Sequence, residues 1–289
     1  MRSKLPALFE RLRLIRNSTR RMFDESATWG QALHGYVYGR FTQRYVNVLL
    51  SPRNQGNKKG VEWLAEHYHG KVLTHEHAHA IVANDRNIPL QDLEQIVPFP
   101  VARNIVLNGP PDVAAYECVC RHARATHCEP TMVCMVVGQP MVDFVLDHHP
   151  ETSRRLTQKE AIDLLEAEHQ RGHMHSAWFK DAMLNRFYAI CNCCKCCCGG
   201  IQAMRDSGVA IMASSGYAAE IDPELCALCG NCAEACPFNA LVQRESHMEL
   251  KWEECLGCGV CEVKCSTGAI RLRRDERKGI PLDVRALPA

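Results

Sequence analysis

Long hydrophobic runs are missing from this 289-residue chain. No stretch approaches 18 consecutive apolar residues, so no membrane-spanning helix is predicted. A secretory signal is not legible either, because Met1 to Met22 carries too many arginines to hold an uninterrupted apolar region. No nucleic-acid recognition motif accompanies the basic segments, and nucleic acid is not an expected partner. These absences point to a cytoplasmic, reducing setting low in oxygen. Length predicts about two domains. The net charge of +1 is uneven: residues 1–22 carry +6 and residues 271–289 carry +3, which leaves −8 for residues 23–270. Most of that negative charge lies in residues 220–270, with three basic and nine acidic residues. An acidic surface of this kind docks a basic patch on a redox partner protein, or is simply solvated.

What is abundant is cysteine, 18 in all. Disulfide scaffolds of small secreted proteins are dense in cysteine, but this chain is too long and too rich in metal-ligand spacing for that reading. Cys226, Cys229, Cys232 and Cys236 form a C-x2-C-x2-C-x3-C run, followed by proline; Cys255, Cys258, Cys261 and Cys265 repeat it 29 positions later. Glu224 matches Glu253, Gly230 matches Gly259 and Ala240 matches Ala269, so the whole unit is duplicated. In such a run three thiolates close on one cluster and the fourth crosses to the other. One 4Fe-4S cluster is therefore assigned to Cys226, Cys229, Cys232 and Cys265, and a second to Cys255, Cys258, Cys261 and Cys236. Zinc sites take four ligands and do not demand a third and fourth cysteine at this spacing twice. Residues 220–270 resemble the two-cluster bacterial-type ferredoxins.

Two further groups hold the other ten cysteines. Cys118, Cys120, Cys128 and Cys134 can complete a four-thiolate set, with Cys118 and Cys120 on one face of an extended segment. Arg121, His122, Arg124 and His127 would tune it from alongside. Cys191, Cys193, Cys194, Cys196, Cys197 and Cys198 put six thiols in eight residues, which has no packing rationale. Adjacent cysteines diverge in regular structure, so one cubane cannot take all six. Gly199-Gly200 is expected to end any helix there. Both groups are read as metal ligands, with at least one additional iron-sulfur cluster between them. The C-x-C-R segment, the I-C-N-C-C-x-C-C-C-G motif and the ferredoxin repeat together are similar to a poorly characterised group of prokaryotic ferredoxin-domain proteins. The resemblance spans about residues 110–270 and implies iron-sulfur redox work.

Elsewhere the patterns are ordinary. Residues 4–22 predict an amphipathic helix whose arginines suit an anionic membrane surface or an acidic partner, or whose apolar stripe packs on the chain. A helix is predicted over 27–50, short elements over Pro89–Pro111, an exposed His148-His149 pair, and a capping box at Thr157 opening a helix that Gly172 ends. His75-Glu76-x-x-His79 matches a zinc-protease pattern, but Ala80 to Val82 lacks the longer continuation, and Thr74 reads as the cap of a histidine-rich helix turn. His173 and His175 read as solvated residues, or as proton donors near a redox centre.

The expected architecture is α+β: a basic helical region at 1–60, a cysteine-rich redox or metal domain at 61–215, a bacterial-ferredoxin-like α+β module at 216–272 and a basic tail at 273–289. Low-potential electron transfer to a further thiolate-bound centre or a partner oxidoreductase is the leading function. The alternatives are an iron-sulfur oxidoreductase reducing a substrate at the central site, and a cluster-assembly, metal-handling or redox-sensing protein.

Overall fold

A computed structural model describes residues 16–49 and 57–289. Nine strands build one mixed sheet: β1 (Tyr68–Leu73), β2 (Ile88–Asp92), β3 (Asn104–Leu107), β4 (Val113–Tyr116), β5 (Cys134–Val137), β6 (Ser153–Leu156), β7 (Met174–Lys180), β8 (Arg186–Cys193) and β9 (Met212–Ala213). Their order is β6-β4-β5-β8-β7-β1-β9, with β2 joined through β3, which pairs with β8. The long central pair β7 and β8 is antiparallel, with Ser176 opposite Cys191 and Met174 opposite Cys193. Every residue of β7 is buried, as expected for a strand covered on both faces.

Side chains alternate between the faces of a strand, and two cores result. One face carries Val72, Val136, Trp178, Tyr188 and Cys193, covered by helices α1 (Asn17–Glu25), α2 (Trp29–Arg40), α4 (Lys58–His67), α7 (Met141–His148) and α9 (Gly199–Ser207). The other carries Leu73, Met135, Phe179, Phe187 and Ile190, covered by α5 (His75–Val82) and α8 (Gln158–Arg171). An irregularity in the β7–β8 register at Trp178 and Phe179 leaves Tyr188 without an opposite residue, and the neighbours Tyr188 and Ala189 both join the first core.

The helix expected over 27–50 is broken. Phe41 leaves helical geometry between α2 and α3 (Thr42–Leu49), where the Thr42 hydroxyl donates to the Tyr38 and Gly39 carbonyls and competes with the helical ladder. Of the amphipathic helix expected over 4–22, residues 1–15 lie outside the described residues; Asn17–Glu25 is helical. Two of its flanking arginines meet acids of α7: Arg16 lies 3.5 Å from Asp147 and Arg21 lies 3.2 Å from Asp143. The His148-His149 pair is half-buried rather than exposed. His148 Nε2 meets the Thr19 hydroxyl at 2.7 Å, and His149 Nε2 donates to the Gly39 carbonyl at 2.7 Å. Pro89–Pro111 contributes strands β2 and β3 where turns or short helices were expected.

The capping box forms as the residues suggest. Thr157 Oγ1 accepts from the Glu160 amide at 3.2 Å, and Glu160 accepts from the Thr157 amide at 2.8 Å. Gly172 closes α8 in the left-handed region at φ 82°. Thr157→Ala is expected to cost about 1 kcal/mol in anaerobic urea unfolding; no measurable change would mean that Glu160 alone holds the turn.

After the sheet comes the smaller module. β10 (Tyr217–Ile221) pairs with β13 (Ile270–Arg274), and β11 (Leu241–Gln243) pairs with β12 (Met248–Leu250). Each half contributes a short helix, α10 (Asn231–Ala235) and α11 (Val260–Val263). Gly230 and Gly259, equivalent in the repeat, precede these helices at φ 78° and 81°, where a side chain would be strained. The last residues fold back on the larger sheet. Leu282 and Val284 are buried in its second core, Lys71 Nζ donates to the Ile280 carbonyl at 2.7 Å, and Arg86 donates to the Val284 carbonyl at 3.1 Å.

Candidate metal centres

The two hairpins of the smaller module place its eight cysteines symmetrically. Ile221 pairs with Ile270, and Cys226 and Cys265 lie five residues beyond that pair on either strand. Leu241 pairs with Leu250, and Cys236 and Cys255 lie five residues beyond in the same way. Each hairpin thus delivers one cysteine from each half of the repeat to the same end. Cys236, Cys255, Cys258 and Cys261 line one small cavity with Phe238, Leu241 and Leu250. Burial pushes the Cys258 thiol up to about 12 and raises Cys261 as well. Four convergent soft donors in an apolar pocket fit a cubane, because bound iron replaces the thiol protons that burial otherwise retains. Backbone amides support the sulfurs: the Ala240 N–H donates to Cys236 Sγ at 3.3 Å. At Cys265, burial raises the thiol but is outweighed by the Thr267 hydroxyl and the Ala269 and Ile270 amides, so the net shift is downward.

The ten central cysteines divide differently from their order in the chain. The Cys118 thiol lies against those of Cys120 and Cys134, and the Cys193 thiol against those of Cys191 and Cys198. Cys134 also neighbours Cys191, which joins the two groups into one array. The Cys198–Cys193 separation is 3.3 Å. Cys118, Cys120, Cys134, Cys191, Cys193 and Cys198 line a cavity of about 90 Å³ with Tyr38, Tyr68, Tyr116 and Trp178, and Cys194 and Cys197 reach the same cavity. Amides at the start of α9 reach this array, Gly199 to Cys120 and Ile201 to Cys198. Gly199-Gly200 therefore opens a helix instead of ending one. The reason is packing: a Cβ on Gly200 would lie 2.8 Å from the Trp178 ring.

Cys128 belongs to another group. With Cys194, Cys196 and Cys197 it forms a set whose sulfurs all lie within 4.8 Å of one another, with Cys128 to Cys196 at 3.0 Å. Cys194 and Cys197 are buried and Cys196 is exposed, so this set sits at the surface side of the array. Strand geometry explains the division. Cys191 and Cys193 share a face at the end of β8, and the turn at Cys194–Cys198 then carries the next three thiols outward. Cys118 precedes and Cys120 lies within the single-turn helix α6 (Val119–His122), in place of the expected extended segment.

Arg121 stands between the two sets with no exposure. It donates to Glu168 at 3.2 Å, to the Asn192 carbonyl at 3.3 Å and to the Pro130 carbonyl. Burial opposes its charge, but Cys194, Glu168 and Cys118 outweigh it and hold the guanidinium protonated. Among the other expected neighbours, His122 pairs with Glu117 at 2.8 Å and His127 with Glu129 at 3.2 Å.

Two features escaped the sequence reading. A cavity of about 620 Å³ lies beside the thiol array and shares Tyr38, Tyr116 and Val119 with it; its wall includes the Glu117–His122 pair, Gln43 and His149. Its residues come from distant segments with no common motif. The second is that His175 is fully buried, not solvated, and His75 packs with His169 and His175 and not in a zinc-protease pair with His79.

A family model described as a 4Fe-4S binding domain matches residues 219–242. The chain is 31% identical over 81 residues to an uncharacterized ferredoxin of Methanocaldococcus jannaschii, covering 27% of this chain and 47% of that protein. It is 31% identical over 86 residues to Hydrogenase-4 component A of Escherichia coli, covering 28% and 40%. It is 30% identical over 56 residues to pyruvate synthase subunit PorD of Methanothermobacter marburgensis, covering 19% and 65%. The chain thus spans between 40% and 65% of the length of these relatives. No helix among the described residues is long and apolar enough to cross a membrane. The chain carries, near its C-terminal end, a 4Fe-4S binding domain of the ferredoxin type.

Proposed function

We propose that the chain is an iron-sulfur redox protein of a reducing, cytoplasmic compartment, moving low-potential electrons between its two-cluster ferredoxin module and a thiolate-bound centre in the larger domain. When bound, 4Fe-4S clusters supply reversible one-electron chemistry. The residues that would hold them are Cys226, Cys229, Cys232 and Cys265 for one, and Cys236, Cys255, Cys258 and Cys261 for the other. The observation that carries the reading is a hydrogen bond between the module and the turn that carries the central thiols. Lys195 Nζ, between Cys194 and Cys196, donates to the Glu234 carbonyl at 2.7 Å, and Glu234 lies between Cys232 and Cys236. The turn that carries Cys194, Cys196 and Cys197 therefore reaches the first ligand run of the ferredoxin.

In this reading the set of Cys128, Cys194, Cys196 and Cys197 suits a four-coordinate cluster. The array of Cys118, Cys120, Cys134, Cys191, Cys193 and Cys198 has more thiolates than one cubane accepts, and suits a larger iron-sulfur assembly. The residues around it exclude water through Tyr38, Tyr68 and Trp178, while Arg121 offsets part of the thiolate charge. Two relatives are by name parts of a hydrogenase and of a pyruvate synthase, which supports a larger oxidoreductase as redox partner. Among the described arginines of the segment proposed to meet a partner or an anionic membrane surface, Arg16 and Arg21 are held by acids of α7.

The 620 Å³ cavity favours a second reading, reduction of a small substrate beside the six-thiol array, with the Glu117–His122 pair as a proton source on its wall. Iron analysis of anaerobically reconstituted protein tests the common premise. More than the roughly eight irons of two cubanes is expected per chain, with the excess falling on combined replacement of Cys118, Cys193, Cys128 and Cys196 by alanine. A wild-type count that stops at the two-cubane value would leave a ferredoxin with a thiol-rich companion domain.

A further inference from the structure

On the face of the sheet opposite the thiols, three histidines from three elements converge. His75 begins α5, His169 lies in the last turn of α8, and His175 is the buried second residue of β7. One ring nitrogen from each lies within 4.8 Å of the other two. We propose that His75, His169 and His175 form a binding site for a borderline divalent cation of the zinc type, separate from every thiolate centre.

The argument rests on where the ring protons must be. The Asn192 amide donates through Nδ2 to the Val133 carbonyl at 2.7 Å, which turns its Oδ1 toward His175 Nδ1 at 2.6 Å. An acceptor at that position requires a proton on His175 Nδ1, so Nε2 carries a lone pair. The Glu166 carboxylate faces His75 Nε2 at 3.1 Å, which places the proton there and leaves a lone pair on Nδ1. These two lone pairs then face each other, His75 Nδ1 to His175 Nε2, at 3.3 Å. Between neutral rings with those tautomers the contact is unsatisfied, and a cation between the nitrogens satisfies it.

The spacing suits a metal. Zinc–imidazole bonds of about 2.0–2.1 Å at the tetrahedral angle put two ligand nitrogens about 3.3 Å apart. Both rings also have their second nitrogen held by an outer acceptor, one a carboxylate and one an amide oxygen, as ligating histidines almost always do. His169 brings the third ring nitrogen within the same 4.8 Å from the partly exposed side; its ring lies over His75 at 4.2 Å and turns about its side-chain torsions to direct a lone pair at the cation. Three imidazoles leave a fourth position for water or a substrate oxygen, the arrangement of zinc sites that act on bound molecules. Asn192, which orients His175, sits between Cys191 and Cys193, so the outer contact of this site is built into the strand that carries the thiol array.

The site is independent of the electron-transfer reading, and its test reads zinc, not iron. The full chain, purified anaerobically with its iron loaded, is challenged with one equivalent of zinc and freed of excess by gel filtration. The expected result is one tightly held zinc with a zinc-edge absorption spectrum of nitrogen and oxygen ligands alone. His169→Ala, at a partly exposed position that leaves the core intact, is expected to remove it without changing the iron content. Glu166→Ala, which removes the outer contact of His75 together with an exposed bond from Gln170, is expected to weaken zinc binding about 10–100-fold. Failure of the wild-type chain to retain zinc would overturn the proposal. So would sulfur ligation that survives His169→Ala and disappears in Cys128→Ser, which would place the zinc on the four-thiol set.

Discussion

Glu168→Leu is expected to lower the thermal midpoint of the anaerobic protein by roughly 10 °C, the equivalent of about 3–5 kcal/mol in a chain of this size. Glu168 and Arg121 both have side chains with no exposure, and they meet at 3.2 Å. Glu168 also receives Arg171 at 2.6 Å and His173 at 2.7 Å. Removing the carboxylate leaves the Arg121 guanidinium buried against carbonyl groups, and an unpaired buried charge is far more costly than the loss of an exposed pair. The pH dependence gives a second reading of the same interaction. Burial alone would raise the Glu168 carboxyl, but His173 and Arg121 outweigh it, and the net shift is downward. A carboxyl depressed in the folded state contributes stability above its unfolded value of about 4.3, and that contribution is lost as pH falls through the folded value. The native chain should therefore lose this part of its stability in acid, below about pH 4, and the leucine variant should not. A midpoint within about 2 °C of the native chain would mean that thiolate charge at Cys118 and Cys194 already neutralises Arg121 without Glu168.

In the two-cluster reading proposed above, Cys236→Ala is expected to remove one ferredoxin cluster and spare the other, a loss of about four irons per chain. Cys236 follows α10 in the first half of the repeat, yet it lines its cavity with Cys255, Cys258 and Cys261 from the second half. Spin-resonance spectra of the reduced variant should retain the signal of the cluster bound by Cys226, Cys229 and Cys232. Loss of that signal, with the other intact, would mean that each half of the repeat closes on its own fourth cysteine. Cys265→Ala is the mirror experiment and should give the complementary loss, since Cys226 and Cys265 leave the same end of the β10–β13 hairpin.

The ferredoxin module was readable because its chemistry is local. Three cysteines of each run fall within seven residues, so chain geometry alone sets their spacing, and the glycines that open α10 and α11 stand at equivalent places in the repeat. The capping box at Thr157 was readable for the same reason, since its two hydrogen bonds join residues three apart. The helix over 27–50 was read too long, because its break depends on a single threonine hydroxyl competing for two carbonyls. Gly199-Gly200 was misread as a helix end, because what demands glycine there is the Trp178 ring on another strand.

The sequence by itself determined that the C-terminal part carries a 4Fe-4S binding domain and that its cysteine run is duplicated, because residue type and local spacing survive without knowledge of the fold. Only the tertiary structure decided how the other ten cysteines are shared. Cys128 and Cys196 are 68 positions apart, and their meeting depends on the turn after β8. The same holds for His75 and His175, 100 positions apart and brought together because β1, which leads into α5, pairs with β7. Contacts of that range are set by strand pairing and by which face each residue takes, and a shift of one residue in register would turn His175, with the rest of its strand, to the other side of the sheet.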